Sequence, residues 1–303
     1  MALEFGDDAV SDSKVVITCT LNGVLTDPKV HHVPVSPEEM AREAKAAYDA
    51  GASVIHIHLR QQGYCRGHLT SWDVDLSRDV QLAIRRVCPG VIINHACGVP
   101  GLDYADALEC LRQTRPDMAA CDAGSLNYLK VNADGTWAWP PMLLDNRVEK
   151  IQAFLDVIKA AGATPEFECH DLGIVRSVGM YRQVGMVGDP LRYNFVMGVP
   201  SGMPADPDLL PILLKHKAPA ATWQVAAVGR AEVWRLHRRA AELGAHLRTG
   251  LGDTFYLPDG VKVASNGRLV AALAKLAREV GRDVASPAEA RDILRLRPAL
   301  AAA

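Results

Sequence analysis

Short runs rich in β-branched residues alternate with longer amphipathic stretches along nearly all 303 residues of the chain. This alternation predicts a parallel sheet, because successive parallel strands need a crossover connection that is usually a helix. The predicted strands cover residues 15–21, 53–59, 91–94, 118–121, 166–169, 191–197, 222–228 and 246–249. The predicted helices cover residues 38–50, 73–87, 102–114, 146–161, 172–184, 206–216, 230–243 and 266–280.

Eight strand–helix units without a linker or a change of composition favour one α/β domain, a (β/α)8 TIM barrel. An open doubly wound sheet is the alternative. We expect residues 1–13, which are acidic and lack an apolar stretch, to be a disordered or extended tail. Residues 14–303 then form the catalytic barrel, with a further C-terminal helix over 286–294.

Charge and composition exclude several classes of partner. The net charge of -2 gives no electrostatic reason to bind nucleic acid or an anionic membrane. No apolar run approaches the roughly 18–20 residues that span a bilayer. The seven scattered cysteines form no Cys-x-x-Cys pair, and an odd number without secretory features is typical of reduced thiols. We therefore expect a cytoplasmic protein.

The second predicted strand carries the pair His56 and His58 near its end. Residues two apart on a strand point to the same face, so both imidazoles project to one side. Two imidazoles in one place are half of a metal site, and zinc is a common occupant of such sites. The alternative is two partly buried histidines that are hydrogen-bonded to backbone.

Further polar residues fall at the ends of other predicted strands, where a TIM barrel places its catalytic groups. Glu168 and His170 share a face of the fifth strand, and serve either a site or a hydrogen-bonded polar layer. Arg248 lies at the end of the last strand and Asp253 in the loop after it. The pair forms either a catalytic base with the residue that orients it, or an ion pair that only fixes the loop. A metal, an arginine and a carboxylate together favour polarising a carbonyl while a proton moves.

The chain contains eight characteristic short segments, among them Thr-Leu-Asn-Gly over 20–23, His-Ile-His-Leu-Arg over 56–60 and Arg-Thr-Gly-Leu-Gly-Asp over 248–253. In their order along the chain, these segments resemble the β-keto acid cleavage enzymes, the family typified by 3-keto-5-aminohexanoate cleavage enzyme. The full set covers residues 16–23, 34–39, 50–60, 92–94, 124–127, 165–171, 246–253 and 285–291.

The resemblance implies a homo-oligomeric barrel, a tetramer or dimer, with one Zn²⁺ per chain. It also implies a small-molecule reaction in which a β-keto acid and acetyl-CoA, as co-substrate, give acetoacetate and the CoA thioester of the remaining acyl group. By position, His56 and His58 are zinc ligands, while Arg248 and Asp253 assist attack on the ketone. The residues assigned to the substrate pocket are Asn22, Leu25, Asn94, Cys97, Gly98, Ser125 and Asn127.

Two positions depart from the family pattern. The family motif commonly reads Arg-x-Gly-Leu-Glu-Asp, and its Glu is the third zinc ligand, but this chain has Gly252 there. Glu168 is the preferred replacement, ahead of His170, Asp253 or water. Leu25 stands where the aminohexanoate enzyme carries a Glu that meets an ammonium group, which favours a neutral or apolar acyl tail. The Cys97 thiol has no evident basic partner, so we interpret it as a pocket wall.

Two other functions stay open from the sequence. A metal-dependent hydrolase of the amidohydrolase type also uses a His-x-His pair, with His170 and Asp253 as further candidate ligands. The position of the pair on the second strand, and the lack of a histidine at the end of the sixth, count against it. A non-catalytic metabolite-binding barrel is the other alternative, and Gly252 is the argument for it.

Overall fold

Eight parallel strands close into a barrel in the computed structural model, which describes residues 14–24, 26–63 and 66–297. Around the barrel the strands follow one another in chain order, and the last strand pairs with the first, which confirms the predicted (β/α)8 barrel. The predicted tail over residues 1–13 lies outside the described residues. The barrel strands are β1 (Ile17–Thr20), β2 (Val54–Ile57), β3 (Ile92–Ala96), β4 (Met118–Asp122), β7 (Thr164–Cys169), β8 (Arg192–Met197), β9 (Thr222–Ala227) and β10 (His246–Thr249).

Helices follow the barrel strands and cover them on the outside. They are α1 (Pro37–Asp49), α2 (Val74–Val87), α3 (Ala105–Thr114), α4 (Val148–Ala161), α5 (Leu172–Gln183), α6 (Leu210–His216), α7 (Val233–Glu242), α8 (Asn266–Glu279) and α9 (Pro287–Ile293). The first helix begins at Pro37, one residue before its predicted start, because Ser36 and Glu39 cap each other's backbone N–H just ahead of it. Within the described ranges, no helix is long and apolar enough to cross a bilayer.

The barrel strands are buried on both faces, so their sequences read as nearly continuous apolar runs. Odd-numbered residues such as Ile55, Phe167 and Leu247 belong to the outer core between strands and helices. Even-numbered residues face the interior, since side chains alternate along a strand. There Gln224 Nε2 and Asn94 Nδ2 both donate to the Glu166 carboxylate, over 2.9 and 2.8 Å. This polar layer crosses the middle of the barrel.

An apolar cluster closes the N-terminal end of the barrel. The innermost side chains there pack with α9 and the segment before it, and Arg192 donates a hydrogen bond to the Leu294 carbonyl. The cluster comprises Val16, Val54, Ile92, Met118, Ala285, Ala290 and Leu294. The polar side chains that are available for chemistry therefore gather at the opposite, C-terminal end.

Several boundaries differ from the sequence predictions. The connection after β4 contains an antiparallel hairpin of β5 (Leu126–Tyr128) and β6 (Met142–Leu144), which the sequence did not predict because three residues give too little alternation. The predicted helix over 206–216 is a 3₁₀ turn at Pro207–Leu209 followed by α6, with Pro211 in its first turn. The predicted helix over 102–114 begins only at Ala105.

Candidate active site

The side chains of His56 and His58 meet at the C-terminal end of β2. Their Nε2 atoms are 3.1 Å apart and the two rings lie at 75°. Burial, together with the charge of Arg248, lowers the pKa of both imidazoles well below the usual value, which favours the neutral form that binds metals. Two nitrogens on one tetrahedral zinc, each about 2.0–2.1 Å away, lie about 3.3 Å apart. The pair therefore fits as two ligands of one ion.

A third protein ligand is not found among the described residues, where no group of three or more His, Cys, Asp or Glu side chains converges. The Glu168 carboxylate accepts hydrogen bonds from Arg248 Nη1 at 3.0 Å and from Asn194 Nδ2 at 3.2 Å. Its assignment as a metal ligand stays a prediction. What the described side chains form is a pair of neighbouring imidazoles.

Gly252 lies where its backbone packs directly on the loop after β1. A Cβ atom at Gly252 would lie 2.5 Å from Thr20 Oγ1 and 2.8 Å from the backbone nitrogen of Gly23. Gly23 has φ +56° and would meet Gly252 in turn, because its own Cβ would lie 3.0 Å from Gly252 Cα. A glutamate at position 252 thus has no room unless the two loops separate. The glycine at position 252 therefore allows the two loops to pack closely.

Arg248 on β10 and Asp253 in the loop after β10 form a bidentate ion pair. The Arg248 Nε and Nη2 atoms each donate to one Asp253 oxygen over 3.0 Å, and Nη1 donates to Glu168. Burial disfavours the charged guanidinium, but the carboxylates of Asp253 and Glu168 outweigh it and raise the pKa of Arg248. Both residues are less than 10% exposed. The geometry holds one carboxylate in a fixed orientation beside a permanent positive charge.

Asn22 positions the second histidine through backbone contacts. Its Nδ2 donates to the His58 carbonyl at 3.0 Å and to the Pro34 carbonyl at 2.9 Å, and its Oδ1 accepts from the His58 N–H at 3.3 Å. The amide of this fully buried residue is therefore occupied by backbone partners. Its predicted contact with substrate is not tested by this arrangement.

Arg60, two residues beyond His58, joins the loops after β1 and β2. Its guanidinium is buried and, among the described residues, donates to backbone carbonyls alone, those of Asn22, Gly23, Thr26 and Gly67. Burial lowers the pKa of Arg60 to about 10. Sequence reasoning missed this role, although an arginine directly after an apolar strand was a signal that it lies inside the loop layer.

A second missed residue is Asp122, the last residue of β4. His170 Nε2 lies 3.3 Å from Asp122 Oδ1, and the other Asp122 oxygen would lie 3.2 Å from a Cβ atom at Gly98. The predicted fourth strand stopped at Cys121, one residue short. Glu168 lies on β7 and His170 directly follows the strand, and the two side chains contact different partners.

The remaining predicted pocket residues are spread more widely. Asn94 faces the interior, and its Oδ1 is buried without a partner among the described atoms. Cys97 is buried, and burial raises the pKa of its thiol. Its role as a pocket wall stays a prediction. Ser125 and Asn127 lie in the exposed start of the hairpin, where Ser125 Oγ accepts from the Asn146 N–H at 2.9 Å. Leu25 lies outside the described residues.

A parallel barrel with paired histidines and a bidentate Arg–Asp pair at its C-terminal end defines an enzyme of the TIM-barrel class. The model of the beta-keto acid cleavage enzyme family matches residues 14–296, and the chain belongs to this family. It is thus an enzyme that transfers an acyl group with cleavage of a carbon–carbon bond.

Individual relatives agree with the family match. The chain is 35% identical over 292 residues to a 3-keto-5-aminohexanoate cleavage enzyme of Fusobacterium nucleatum, covering 94% of this chain and 98% of the relative. It is 32% identical over 270 residues to a 3-oxoadipate:acetyl-CoA acetyltransferase of Cupriavidus necator, covering 87% and 88%. The apo structure of ObcA shares the fold with a TM-score of 0.68 at 19% identity, over 88% of this chain and 66% of that one.

Proposed function

We propose that this enzyme converts a β-keto acid and acetyl-CoA into acetoacetate and a new acyl-CoA. In this exchange the bond between C2 and C3 of the keto acid breaks. The acyl fragment goes to the CoA sulfur, while C2 and the carboxylate receive the acetyl group. The acetyl-CoA named for the Cupriavidus necator relative supports the co-substrate. The main support for this proposal is a pairing of strands. Strand β2, which carries His56 and leads directly into His58, and strand β10, which carries Arg248, both pair with β1.

We assign the proton transfer to Asp253. Its carboxylate accepts the proton from C2 of the keto acid, so that C2 becomes the nucleophile toward the thioester carbonyl. Arg248 orients this carboxylate through two hydrogen bonds, and its charge attracts the carboxylate of the substrate. Asn22 and Arg60 keep the loop after β1 against the histidine strand, which positions His58.

We propose that His56 and His58 hold one Zn²⁺ per chain, with Glu168, water or substrate oxygens as further ligands. When bound, zinc would act as a Lewis acid that polarises the ketone of the substrate. The separation of the two Nε2 atoms and the neutral state of both rings support this assignment. Leu25 favours a substrate with a neutral or apolar acyl tail.

Metal content tests the ligand assignment without any knowledge of the substrate. We expect elemental mass spectrometry to find about one zinc per purified chain and none in His56→Ala. The matched control is His237→Leu, because His237 is also fully buried but lies on α7. Full zinc occupancy in His56→Ala would overturn the assignment.

Product analysis tests the reaction. Zinc-loaded enzyme with acetyl-CoA and a panel of β-keto acids is expected to form acetoacetate and a new acyl-CoA in equal amounts. Cleavage that proceeds without acetyl-CoA would favour the hydrolase instead. Binding of keto acids without turnover by any of them would favour the metabolite-binding barrel.

We also propose a cytoplasmic homo-oligomer, a tetramer or a dimer. Apolar side chains are exposed on and around the β5–β6 hairpin, namely Val131, Trp137, Met142 and Leu143. The six cysteines in the part of the chain that the structure describes are free and buried, which suits a reducing compartment. Light scattering on the eluted protein is expected to give a mass of two or four chains, and a monomer would contradict this.

A further inference from the structure

A groove of about 790 Å³ runs between α7 and α8 on the outside of the barrel. Its walls carry five cationic side chains, and its floor includes the apolar Ala231, Ala272 and Leu276. The cationic side chains are Arg235, Arg238, Arg239, Arg268 and Lys275. Three carboxylates also line it, those of Glu242, Asp259 and Glu279. The groove therefore combines an apolar floor with an excess of positive charge.

The cationic side chains form ion pairs at one end of the groove and not at the other. Toward the C-termini of both helices, Arg238 pairs with Glu279 across the groove at 2.5 Å, Lys275 lies 3.9 Å from the same carboxylate, and Arg239 lies 3.4 Å from Glu242.

Arg235 and Arg268 are each the third residue of their helix. Within the described part of the chain, neither has a carboxylate within ion-pair distance, and Asp259 also lines the groove. The arginines without an ion pair thus lie at the helix N-termini.

That end of the groove adjoins the catalytic face. Each helix follows a barrel strand, so its N-terminus lies at the C-terminal end of the barrel, where the helix dipole also favours anions. Leu257 and Asp259 line the groove, and they belong to the same loop as Asp253. Four residues span at most about 14 Å, so Leu257 lies within that distance of Asp253. Trp234 Nε1 donates to the Tyr256 carbonyl at 2.8 Å and fixes the loop to α7.

We propose that this groove binds the nucleotide end of coenzyme A, an adenosine with a 3′-phosphate and a 5′-diphosphate. Arg235 and Arg268 contact the phosphates, and the apolar floor receives the adenine. The pantetheine arm then runs over the loop that carries Leu257 toward Asp253. This inference rests on the proposed function, because acetyl-CoA is the co-substrate there. It names a site for the part of the co-substrate that does not react.

Steady-state kinetics with two acyl donors test the proposal. The double variant Arg235→Ala with Arg268→Ala is expected to raise KM for acetyl-CoA about 10–100-fold, because it removes the charged donors to the phosphates. The KM for the keto acid should stay within twofold. With S-acetylpantetheine, which lacks the nucleotide, the double variant should have the same kcat and KM as the wild type. An unchanged KM for acetyl-CoA, or an equal loss with S-acetylpantetheine, would overturn the proposal.

Arg176→Ala is the matched control, because Arg176 is an exposed arginine of α5 without an ion pair among the described residues. It should leave both donors unaffected. Calorimetric titration with adenosine 3′,5′-bisphosphate separates this proposal from the proposed reaction, because it needs no turnover. Binding that is lost in the double variant would support the groove even in a protein without acyl transfer. Equal binding by both proteins, or none to the wild type, would overturn it.

Discussion

At the N-terminal end of the barrel, Val16 and Met118 pack against Leu294, whereas the positions at the C-terminal end carry His56, Glu168 and Arg248. Both ends belong to the same strands, although Glu168 at the polar end is only partly buried. The apolar end is closed by α9 and gains stability from the area it removes from water. The polar end keeps charges and hydrogen-bonding atoms in place for a ligand. One set of eight strands therefore divides stability and chemistry between its two ends.

Buried polar atoms without a partner among the described atoms occur at both ends of the barrel. At or near the C-terminal ends of the strands they are Thr20 Oγ1, His56 Nδ1, His170 Nδ1 and Thr249 Oγ1, and at the closed end they include Arg192 Nε and Arg291 Nη2. Such an atom costs about 1–3 kcal/mol of folding free energy. At the catalytic end these atoms lie beside the proposed site, where a ligand can supply their partners.

The two ends also use buried cations differently. Arg60 and Lys150 donate to backbone carbonyls and join neighbouring loops of the catalytic face, with Lys150 holding the carbonyls of Val99, Gly101 and Asp145. Arg192 donates to the carbonyls of Pro190 and Leu294 and attaches the C-terminal segment to the closed end. Similar contacts thus position loops at one end and close the barrel at the other.

The largest effect is expected from Asp253→Asn at the catalytic end. Loss of the base should lower kcat about 10²–10⁴-fold, with a much smaller change in KM, because the carboxylate acts in the chemical step. Steady-state kinetics under saturating acetyl-CoA measure both constants. An unchanged kcat would reduce Asp253 to a structural partner of Arg248 and would weaken the functional contrast between the two ends.

Arg60→Met and Arg192→Met sharpen the comparison of the buried cations. Each change leaves buried carbonyls without donors and is expected to lower the free energy of unfolding by about 3–5 kcal/mol, measured by urea denaturation. Only Arg60→Met should also weaken zinc binding, because only Arg60 holds the loop packed beside His58. Partial recovery of zinc affinity in Arg60→Lys is expected. Equal zinc affinity in Arg60→Met, Arg192→Met and Arg60→Lys would contradict the positioning role of Arg60.

Leu294→Ala tests the closed end alone. Removing this buried side chain from the apolar cluster is expected to cost about 2–4 kcal/mol of unfolding free energy, with kcat within twofold of the wild type. Leu102→Ala, at a residue that is 52% exposed, serves as the control for stability. A drop in kcat that parallels the loss of stability would mean that the two ends are coupled.

Acid pH gives the smallest predicted effect and concerns α7, outside both ends. Burial lowers the pKa of His237 to about 4, and both of its ring nitrogens lack partners among the described atoms. The unfolded chain binds a proton from about pH 6.5 downward, while the folded chain does not until about pH 4. Stability is therefore lost as the pH falls through this window, by about 1–3 kcal/mol.

The variant His237→Leu is expected to remove that part of the loss. Urea denaturation at pH 7 and pH 4.5 measures it, and the difference between the two pH values should be smaller in the variant. An identical pH dependence in both proteins would assign the acid sensitivity to other histidines, including those at the catalytic end.

Much of the fold was predictable because its signals are local. Alternation over four to seven residues and amphipathic helical stretches predicted all eight barrel strands, mostly within two residues of their ends. The parallel order then implied that His56, His58, Arg248 and Asp253 gather at one end. The three-residue strands of the hairpin carried too weak a pattern to be predicted.

By itself, the sequence determined the barrel, the end that carries the chemistry and the membership in a family, because periodicity and short motifs act within a few residues. Only the tertiary structure decided which side chains meet there. The contact of Gly23 with Gly252, the carbonyls around Arg60 and the pairing of Asp122 with His170 join residues that are far apart in the chain. Such contacts depend on loop packing in three dimensions, and no local pattern encodes them.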